Sequence, residues 1–251
     1  MKIGAIQHPL IIAHRGYSKQ YPENTLVAFQ AALDANADMI ELDVTLTRDR
    51  KIVVIHDDTL ERTTNGRGPV SDYCLNQLKA LDAGSWFDTR FSGERIPTLE
   101  EVFDLVNSRI WVNIEIKSSA YEAHYPIDAI ERQVIELVRQ KDMQDTVIIS
   151  SFEWKILENI KQISESPAIS LLSSKPADLK AVIACQKLNA FSWHQNQKNM
   201  ERIHVAMMHE ADTSVFAYTV NSVSRFKQLL ALGVDGVFTN DPVLLRFHSG
   251  L

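Results

Sequence analysis

The sequence contains little cysteine and none of the common glycine-rich nucleotide motifs. Its two cysteines, Cys74 and Cys185, lie far apart with no CxxC or CxxH spacing. Neither a disulfide framework nor a zinc site is therefore supported, and two free thiols are expected. No GxGxxG, GxxxxGKS or GxxxxGKT sequence occurs, which makes a nucleotide-binding doubly wound sheet the weaker interpretation.

Excess positive charge and long apolar runs are also missing. The net charge is −6 and the isoelectric point is near 5.8. Binding to nucleic acid needs a basic face, so we expect no nucleic-acid partner. The N-terminal apolar stretch is interrupted by Gln7, His8 and Pro9 and leads directly into a motif that cleavage would destroy. We therefore expect no signal peptide, no stable membrane anchor and a cytoplasmic location.

The chain does have a regular alternation of short β-branched segments with amphipathic segments, which is typical of βα units. Eight strands of a main series are predicted, each followed by a helix. The length of 251 residues and the hydrophobic content of 45% suit an α/β protein with a closed (β/α)8 TIM barrel. The predicted strands are 10–13, 39–46, 110–117, 146–150, 168–172, 190–193, 215–220 and 236–239.

Residues 57–97 interrupt this alternation. They are too many for an ordinary βα connection, and with Trp86 and Phe87 they are too aromatic for a disordered linker. We predict one domain, 1–251, with an ordered insertion at about 57–97 after the second strand and its return segment, 52–56. Loops at the carboxyl ends of strands commonly shape substrate sites, so we expect the insertion to wall the alcohol side of a pocket. A helix capped by Thr98 then resumes the alternation.

Charged residues end or interrupt several of the predicted strands. His14 and Arg15 stop the first strand abruptly, whereas Glu41 and Asp43 share one face of the second because they are two residues apart. Glu115 repeats the pattern on another strand. Any one of these side chains alone is more often a solvated surface group. Buried carboxylates are costly unless they are paired or bind metal, and their recurrence on separate strands indicates metal-assisted phosphate chemistry.

A barrel would bring these residues together, because the carboxyl ends of parallel strands meet at one mouth. The residues predicted to lie on or just after strands at this mouth are His14, Arg15, Glu41, Asp43, Glu115, Lys117 and Tyr218. Trp193-His194 also ends a predicted strand, so His194 is a further candidate for substrate contact. Trp86 is a second outside candidate, although the small core of the insertion is its more ordinary place.

Nine short motifs are spread over nearly the whole chain. They are His14-Arg15-Gly16, Pro22-Glu23-Asn24-Thr25, Glu41-Leu42-Asp43-Val44, His56-Asp57, Leu60 to Gly66, Ile96 to Glu101, Asn113 to Lys117, Tyr218 to Asn221 and Gly233 to Gly236. In order and spacing these motifs resemble those of the glycerophosphodiester phosphodiesterase family, and the compact bacterial cytosolic members most of all.

The resemblance implies a (β/α)8 barrel, an insertion after the second strand, and roles for individual residues. It implies that Glu41, Asp43 and Glu115 ligate one divalent cation, and oxygen ligands favour Mg or Ca. His14 and His56 would be the general acid and base, in an order that stays open. The implied phosphate- or substrate-binding residues are Arg15, Lys117 and Tyr218, the last at a position where the family often has Trp.

The implied reaction is hydrolysis of a glycerophosphodiester, a small-molecule substrate, to glycerol 3-phosphate and an alcohol. The nucleophile is either water or the neighbouring glycerol hydroxyl. The headgroup and the oligomeric state stay open. Two alternatives remain: a phospholipid-cleaving phosphodiesterase on the same barrel, which would need an apolar lip or a basic patch, and a non-catalytic module that binds a phosphate ligand.

Overall fold

The computed structural model describes Ile6 and residues 8–249 of the chain. The strands are β1 (Leu10–His14), β2 (Met39–Leu46), β3 (Ile52–Val54), β4 (Trp111–Ile116), β5 (Val147–Ser151), β6 (Ala168–Ser173), β7 (Ser192–Asn196), β8 (Ser214–Tyr218) and β9 (Gly236–Thr239). The helices are α1 (Leu26–Asp34), α2 (Leu75–Lys79), α3 (Leu99–Val106), α4 (Ile130–Gln140), α5 (Trp154–Ile163), α6 (Leu179–Leu188), α7 (Arg202–His209), α8 (Val223–Leu232) and α9 (Pro242–Ser249).

Eight parallel strands close into a barrel, which confirms the predicted (β/α)8 fold. The sheet runs β1-β9-β8-β7-β6-β5-β4-β2, and pairing of β1 with β2 closes it. β3 lies outside the ring and pairs antiparallel with β2, as expected for a return segment. Helix α3 begins at the predicted cap: Thr98 and Glu101 form a reciprocal capping box, which satisfies backbone N–H groups that the first turn leaves free.

Alternation along the strands determines which side chains point into the barrel. On β1 and β2, Leu10 and Ile12 are followed on the same face by His14, and Met39 is followed by Glu41 and Asp43. Leu10, Ile12 and Met39 pack inside the barrel with Phe216 and other apolar residues. The inward face is thus apolar at the amino end of these strands and charged at the carboxyl end.

One predicted strand is displaced, and the displacement corrects the role proposed for its histidine. The segment expected at 190–193 is β7, Ser192–Asn196, so His194 is the third residue of a strand. Its side chain is fully buried and its ring stacks on Phe216 with centroids 5.2 Å apart. The expectation that His194 contacts substrate at the mouth is therefore wrong, because the strand begins two residues later and carries the imidazole into the barrel.

The segment 57–97 is ordered and contains α2 and two short 3-10 turns. Its apolar residues pack against Val53 and Ile55 of the hairpin and form a small separate core: Leu60, Val70, Leu78, Ala83 and Ile96. Trp86 lies outside this cluster, where its indole N–H donates to the Ala83 carbonyl and its ring meets the edge of Phe87. None of the helices among residues 8–249 is both long and apolar enough to cross a membrane.

Candidate functional site

Three carboxylates meet at the carboxyl end of the barrel. Glu41 and Asp43 extend from β2 and Glu115 from β4, where Asp43 and Glu115 are register partners. Each offers an oxygen within 4.8 Å of the others, and all three side chains are buried. Oxygen atoms that bind one cation at about 2.0–2.6 Å cannot lie more than about 5 Å apart. The spacing and the hard oxygen donors therefore fit a single divalent cation.

The cationic side chains of Arg15 and Lys117 contact this acidic cluster. Arg15 donates its backbone N–H to Glu41 at 2.9 Å, and its side-chain Nε lies 3.3 Å from Asp43. Lys117 Nζ lies 3.2 Å from Glu115 and 3.5 Å from Asp43. Arg15 adopts a positive φ of 56°, which turns the chain so that both its backbone and its side chain reach the carboxylates.

The pKa values of the three carboxyl groups shift in different directions. Burial and the charge of Asp43 raise the pKa of Glu115 to about 7. Burial and the charges of Asp43 and Glu115 also raise the pKa of Glu41. Burial opposes ionisation of Asp43 too, but Arg15 and Lys117 outweigh it and lower its pKa. The charges of Arg15 and Lys117 therefore do not neutralise the three carboxylates fully, and a further positive charge would be stabilised beside them.

His14 lies at the end of β1 in register with Glu41. Its Nδ1 lies 2.8 Å from the side-chain oxygen of Asn240, which leaves Nε2 as the second ring nitrogen. Burial and the nearby charge of Arg15 lower the pKa of His14 to about 4, so the ring is neutral at pH 7. Asn240 immediately follows β9 and was not identified from the sequence; inspecting every residue that follows a barrel strand would have found it.

His56 approaches the same cavity from the hairpin. Its Nδ1 lies 2.5 Å from Asp57 Oδ1. Hydrogen bonds from Arg62 hold the pKa of Asp57 below its usual range, so an ionised carboxylate faces the ring. Since a carboxylate only accepts hydrogen bonds, the proton of this pair belongs on Nδ1, and His56 keeps Nε2 for another partner.

A cavity of about 190 Å³ collects the predicted site residues. Seven of the eight predicted residues line it: His14, Arg15, Glu41, His56, Glu115, Lys117 and Tyr218. Asp43 lies just behind them in contact with Arg15 and Lys117. The structure thus brings the whole predicted set to one place.

Part of the cavity wall is apolar. It is formed by Phe152, Leu172, Tyr218 and Phe238, with Phe152 and Tyr218 in edge-to-face contact at 6.0 Å between ring centroids. These side chains extend from β5, β6, β8 and β9 or directly follow them. No residue of 57–97 is among the lining residues, so the expectation that the insertion walls the pocket is not supported. Of these four residues only Tyr218 was identified from the sequence, and no charged motif at the other three positions indicated the wall.

Asn113 is a further residue that the sequence reasoning left without a role. It is the register partner of Glu41 on β4 and lines the cavity. Its amide N–H donates to Ser150 at 3.0 Å, whereas its buried side-chain oxygen accepts no hydrogen bond within the described part of the chain. A buried oxygen without a partner is costly, and this one adds a fourth oxygen beside the carboxylates.

The fold and this site together define a class of protein, a (β/α)8-barrel hydrolase with an acidic centre. The sequence profile of the Glycerophosphoryl diester phosphodiesterase family matches residues 14–244. The chain belongs to that family. A glycerophosphodiester phosphodiesterase from Caldanaerobacter subterraneus subsp. tengcongensis is 41% identical over 237 residues, which cover 94% of this chain and 96% of the relative.

Solved structures agree with this assignment. A phosphodiesterase of Oleispira antarctica, in complex with its product sn-glycerol-3-phosphate, superposes with a TM-score of 0.87 and 31% identity, covering 96% of each chain. A glycerophosphodiester phosphodiesterase of Agrobacterium tumefaciens superposes with a TM-score of 0.81 and 28% identity, covering 94% of this chain and 98% of that one.

Proposed function

We propose that the chain hydrolyses glycerophosphodiesters to glycerol 3-phosphate and an alcohol at the cavity described above. The observation that carries the proposal is the joint presence of three buried carboxylates, two cationic side chains and two histidines around one cavity of a family member. The apolar part of the cavity wall suits the uncharged carbon skeleton of a small substrate.

Glu41, Asp43 and Glu115 would hold one divalent cation, with the side-chain oxygen of Asn113 beside them. When bound, such a cation withdraws charge from a phosphoryl oxygen and offsets the repulsion among the carboxylates. The choice between Mg and Ca is part of the proposal to be tested, since both are hard cations that take oxygen ligands.

Arg15 and Lys117 would meet the charge of the phosphodiester. Both cations already lie within 3.5 Å of the acidic cluster, and the planar guanidinium of Arg15 can donate two parallel hydrogen bonds to phosphate oxygens. Burial opposes protonation of Lys117, but Glu115 and Asp43 outweigh it and raise its pKa. Both side chains are therefore charged when substrate arrives.

His14 and His56 would carry the two proton transfers through Nε2, because Asn240 and Asp57 occupy their Nδ1 atoms. One histidine takes a proton from the nucleophile, either water or the neighbouring glycerol hydroxyl, as the nucleophile's oxygen bonds to phosphorus. The other donates a proton to the alkoxide as the bond from phosphorus to the alcohol oxygen breaks. If the glycerol hydroxyl attacks, a cyclic phosphate forms and water then opens it to glycerol 3-phosphate. Tyr218 would contact the alcohol side, since its hydroxyl is held by the Ser173 carbonyl at 2.8 Å and its ring faces the cavity.

The test is a hydrolysis screen of purified protein against glycerophosphocholine, glycerophosphoethanolamine, glycerophosphoinositol and glycerophosphoglycerol. Free glycerol 3-phosphate is measured with Mg, with Ca and in EDTA. We expect release that requires a divalent cation and is lost in Glu41→Gln. Absence of release from every diester under every condition would refute the function, and full activity in EDTA after dialysis would refute the role of the cation.

Two further measurements separate the alternatives. Phosphatidylcholine vesicles replace the soluble diesters in one arm, and product release there would indicate a phospholipid-cleaving enzyme. Tight phosphate-ester binding without turnover would instead indicate a non-catalytic module. The cytoplasmic location, the single domain spanning 1–251 and the absence of nucleic-acid partners remain predictions.

A further inference from the structure

The insertion does not line the cavity, yet one of its side chains reaches the residues that hold the catalytic groups. We propose that Arg62 is a positioning residue that fixes His56 and Arg15 simultaneously, through Asp57 and Glu23. The inference rests on the proposed function. It assigns the insertion a role in the reaction itself rather than in lining the pocket.

The guanidinium of Arg62 makes two complete forks. Toward Asp57, Nε donates at 2.6 Å and Nη2 at 2.9 Å. Toward Glu23, Nη1 and Nη2 both donate at 2.8 Å. All three nitrogens are used, and each carboxylate is held by both of its oxygens. Bidentate pairs of this kind fix orientation as well as charge, unlike a single-contact surface ion pair.

Each carboxylate then holds one group of the proposed machinery. Asp57 accepts from His56 Nδ1 at 2.5 Å, and Glu23 accepts from Arg15 Nη1 at 2.8 Å. The continuous path is therefore His56–Asp57–Arg62–Glu23–Arg15. Glu23 belongs to the loop between β1 and α1, whereas Asp57 and Arg62 belong to the segment after β3, so Arg62 ties together two loops that share no strand pairing.

Removal of Arg62 has a specific consequence. Asp57 keeps its contact with His56, and Glu23 keeps its contact with Arg15. Each carboxylate loses the two hydrogen bonds from Arg62 that fix its orientation. A displacement of about 1 Å in a catalytic group can reduce a rate about 100-fold. The insertion retains its own core around Leu60 and Leu78. The variant should therefore fold, and its defect should lie in turnover.

The experiment compares Arg62→Ala and Arg62→Lys with Arg50→Ala. Arg50 is the matched control because it also makes several hydrogen bonds to two carboxylates, those of Glu122 and Asp128, in contacts that do not include His56 or Arg15. The measurements are kcat and KM on a soluble glycerophosphodiester, the thermal unfolding midpoint, cation binding by calorimetry, and rescue of kcat by added guanidinium chloride at non-denaturing concentrations, with sodium chloride as the salt control.

We expect Arg62→Ala to bind the cation normally and to lose about 10- to 100-fold in kcat with a folded fraction equal to wild type. Guanidinium should restore part of kcat in a saturable way, whereas sodium chloride should not. Arg62→Lys should remain impaired, since an ammonium keeps the charge but cannot form two forks. Arg50→Ala should keep wild-type kcat.

Three results would overturn the inference. They are wild-type kcat in Arg62→Ala, a loss fully accounted for by a smaller folded fraction, and recovery of full activity in Arg62→Lys. The inference is separable from the proposed function, because wild-type protein is assayed in parallel. If the wild type releases no glycerol 3-phosphate the function fails, whereas an active wild type with an equally active Arg62→Ala defeats only the role of Arg62.

Discussion

Acidification should destabilise the barrel through one buried side chain, His194. The ring is fully buried inside the barrel, stacked on Phe216 and in edge contact with Phe238. Its Nε2 pairs with the Ser192 hydroxyl at 2.9 Å. Burial lowers its pKa from 6.5 to about 3, because an imidazolium there would lose its hydration.

The sign and size of the effect follow from the two pKa values. Below pH 6.5 the unfolded chain binds a proton on His194 that the folded chain does not. The contribution of the neutral ring to the free energy of unfolding is therefore fully present above pH 6.5 and is lost as the pH falls toward 3. One pKa unit corresponds to about 1.4 kcal/mol. The contribution lost between pH 7 and pH 5 is therefore about 2 kcal/mol, and by pH 3 it is about 4 kcal/mol.

The assay is urea unfolding followed by tryptophan fluorescence at pH 7 and at pH 5, comparing wild type with His194→Gln and His194→Leu. The carboxylates of the site also titrate in this range, but they are present in every protein compared and cancel in the difference. Between pH 7 and pH 5, the free energy of unfolding should fall by about 2 kcal/mol less in both variants than in wild type. This difference does not depend on how stable each variant is at pH 7. His124→Gln is the control, since that side chain is 73% exposed.

An equal pH dependence in wild type and in both His194 variants would refute the reasoning. It would mean that the folded barrel accepts a proton on His194 as readily as the unfolded chain does. The reasoning would also fail if the free energy of unfolding depended less on pH in His124→Gln than in the His194 variants. The effect would then come from an exposed histidine rather than from the buried one.

Three other predictions concern the proposed site and the loop after β1, which contains Gly16. Glu41→Gln should weaken calorimetric cation binding and sharply lower turnover while the unfolding transition stays cooperative, and unchanged cation affinity would contradict its proposed role as a ligand. His14→Ala and His56→Ala should each lose about 100- to 10,000-fold in kcat, mostly without change in KM. A nitrophenyl leaving group should partly rescue only the variant that lacks the acid, so equal losses on both substrates would argue against separate roles. Gly16→Ala should destabilise the fold by about 1–3 kcal/mol in chemical denaturation, because Gly16 has a φ of +78° and a Cβ would lie 2.7 Å from the Ala28 backbone; a stability equal to wild type would show that the loop adjusts.

The sequence by itself determined the barrel and most of the site. Alternation of apolar and polar residues is a local property, and it gave β2 as Met39–Leu46 and β9 as Gly236–Thr239 with the boundaries that the structure has. The same period of two puts Glu41 and Asp43 on one face. Once eight strands close into a ring, their carboxyl ends can only meet at one mouth, so residues far apart in the chain converge without any knowledge of contacts.

The tertiary structure alone decided how those residues are held. Asn240 pairs with His14 across 226 positions, and Arg62 joins Glu23 to Asp57 across two loops. Such partners depend on barrel closure and on the path of irregular segments, which no hydrophobic period encodes. The depth of His194 was likewise undetermined, because a strand start displaced by two residues keeps the same face but moves the side chain along the barrel axis. Local pattern thus specifies which face a side chain occupies, whereas long-range packing specifies its level in the barrel and its hydrogen-bond partner.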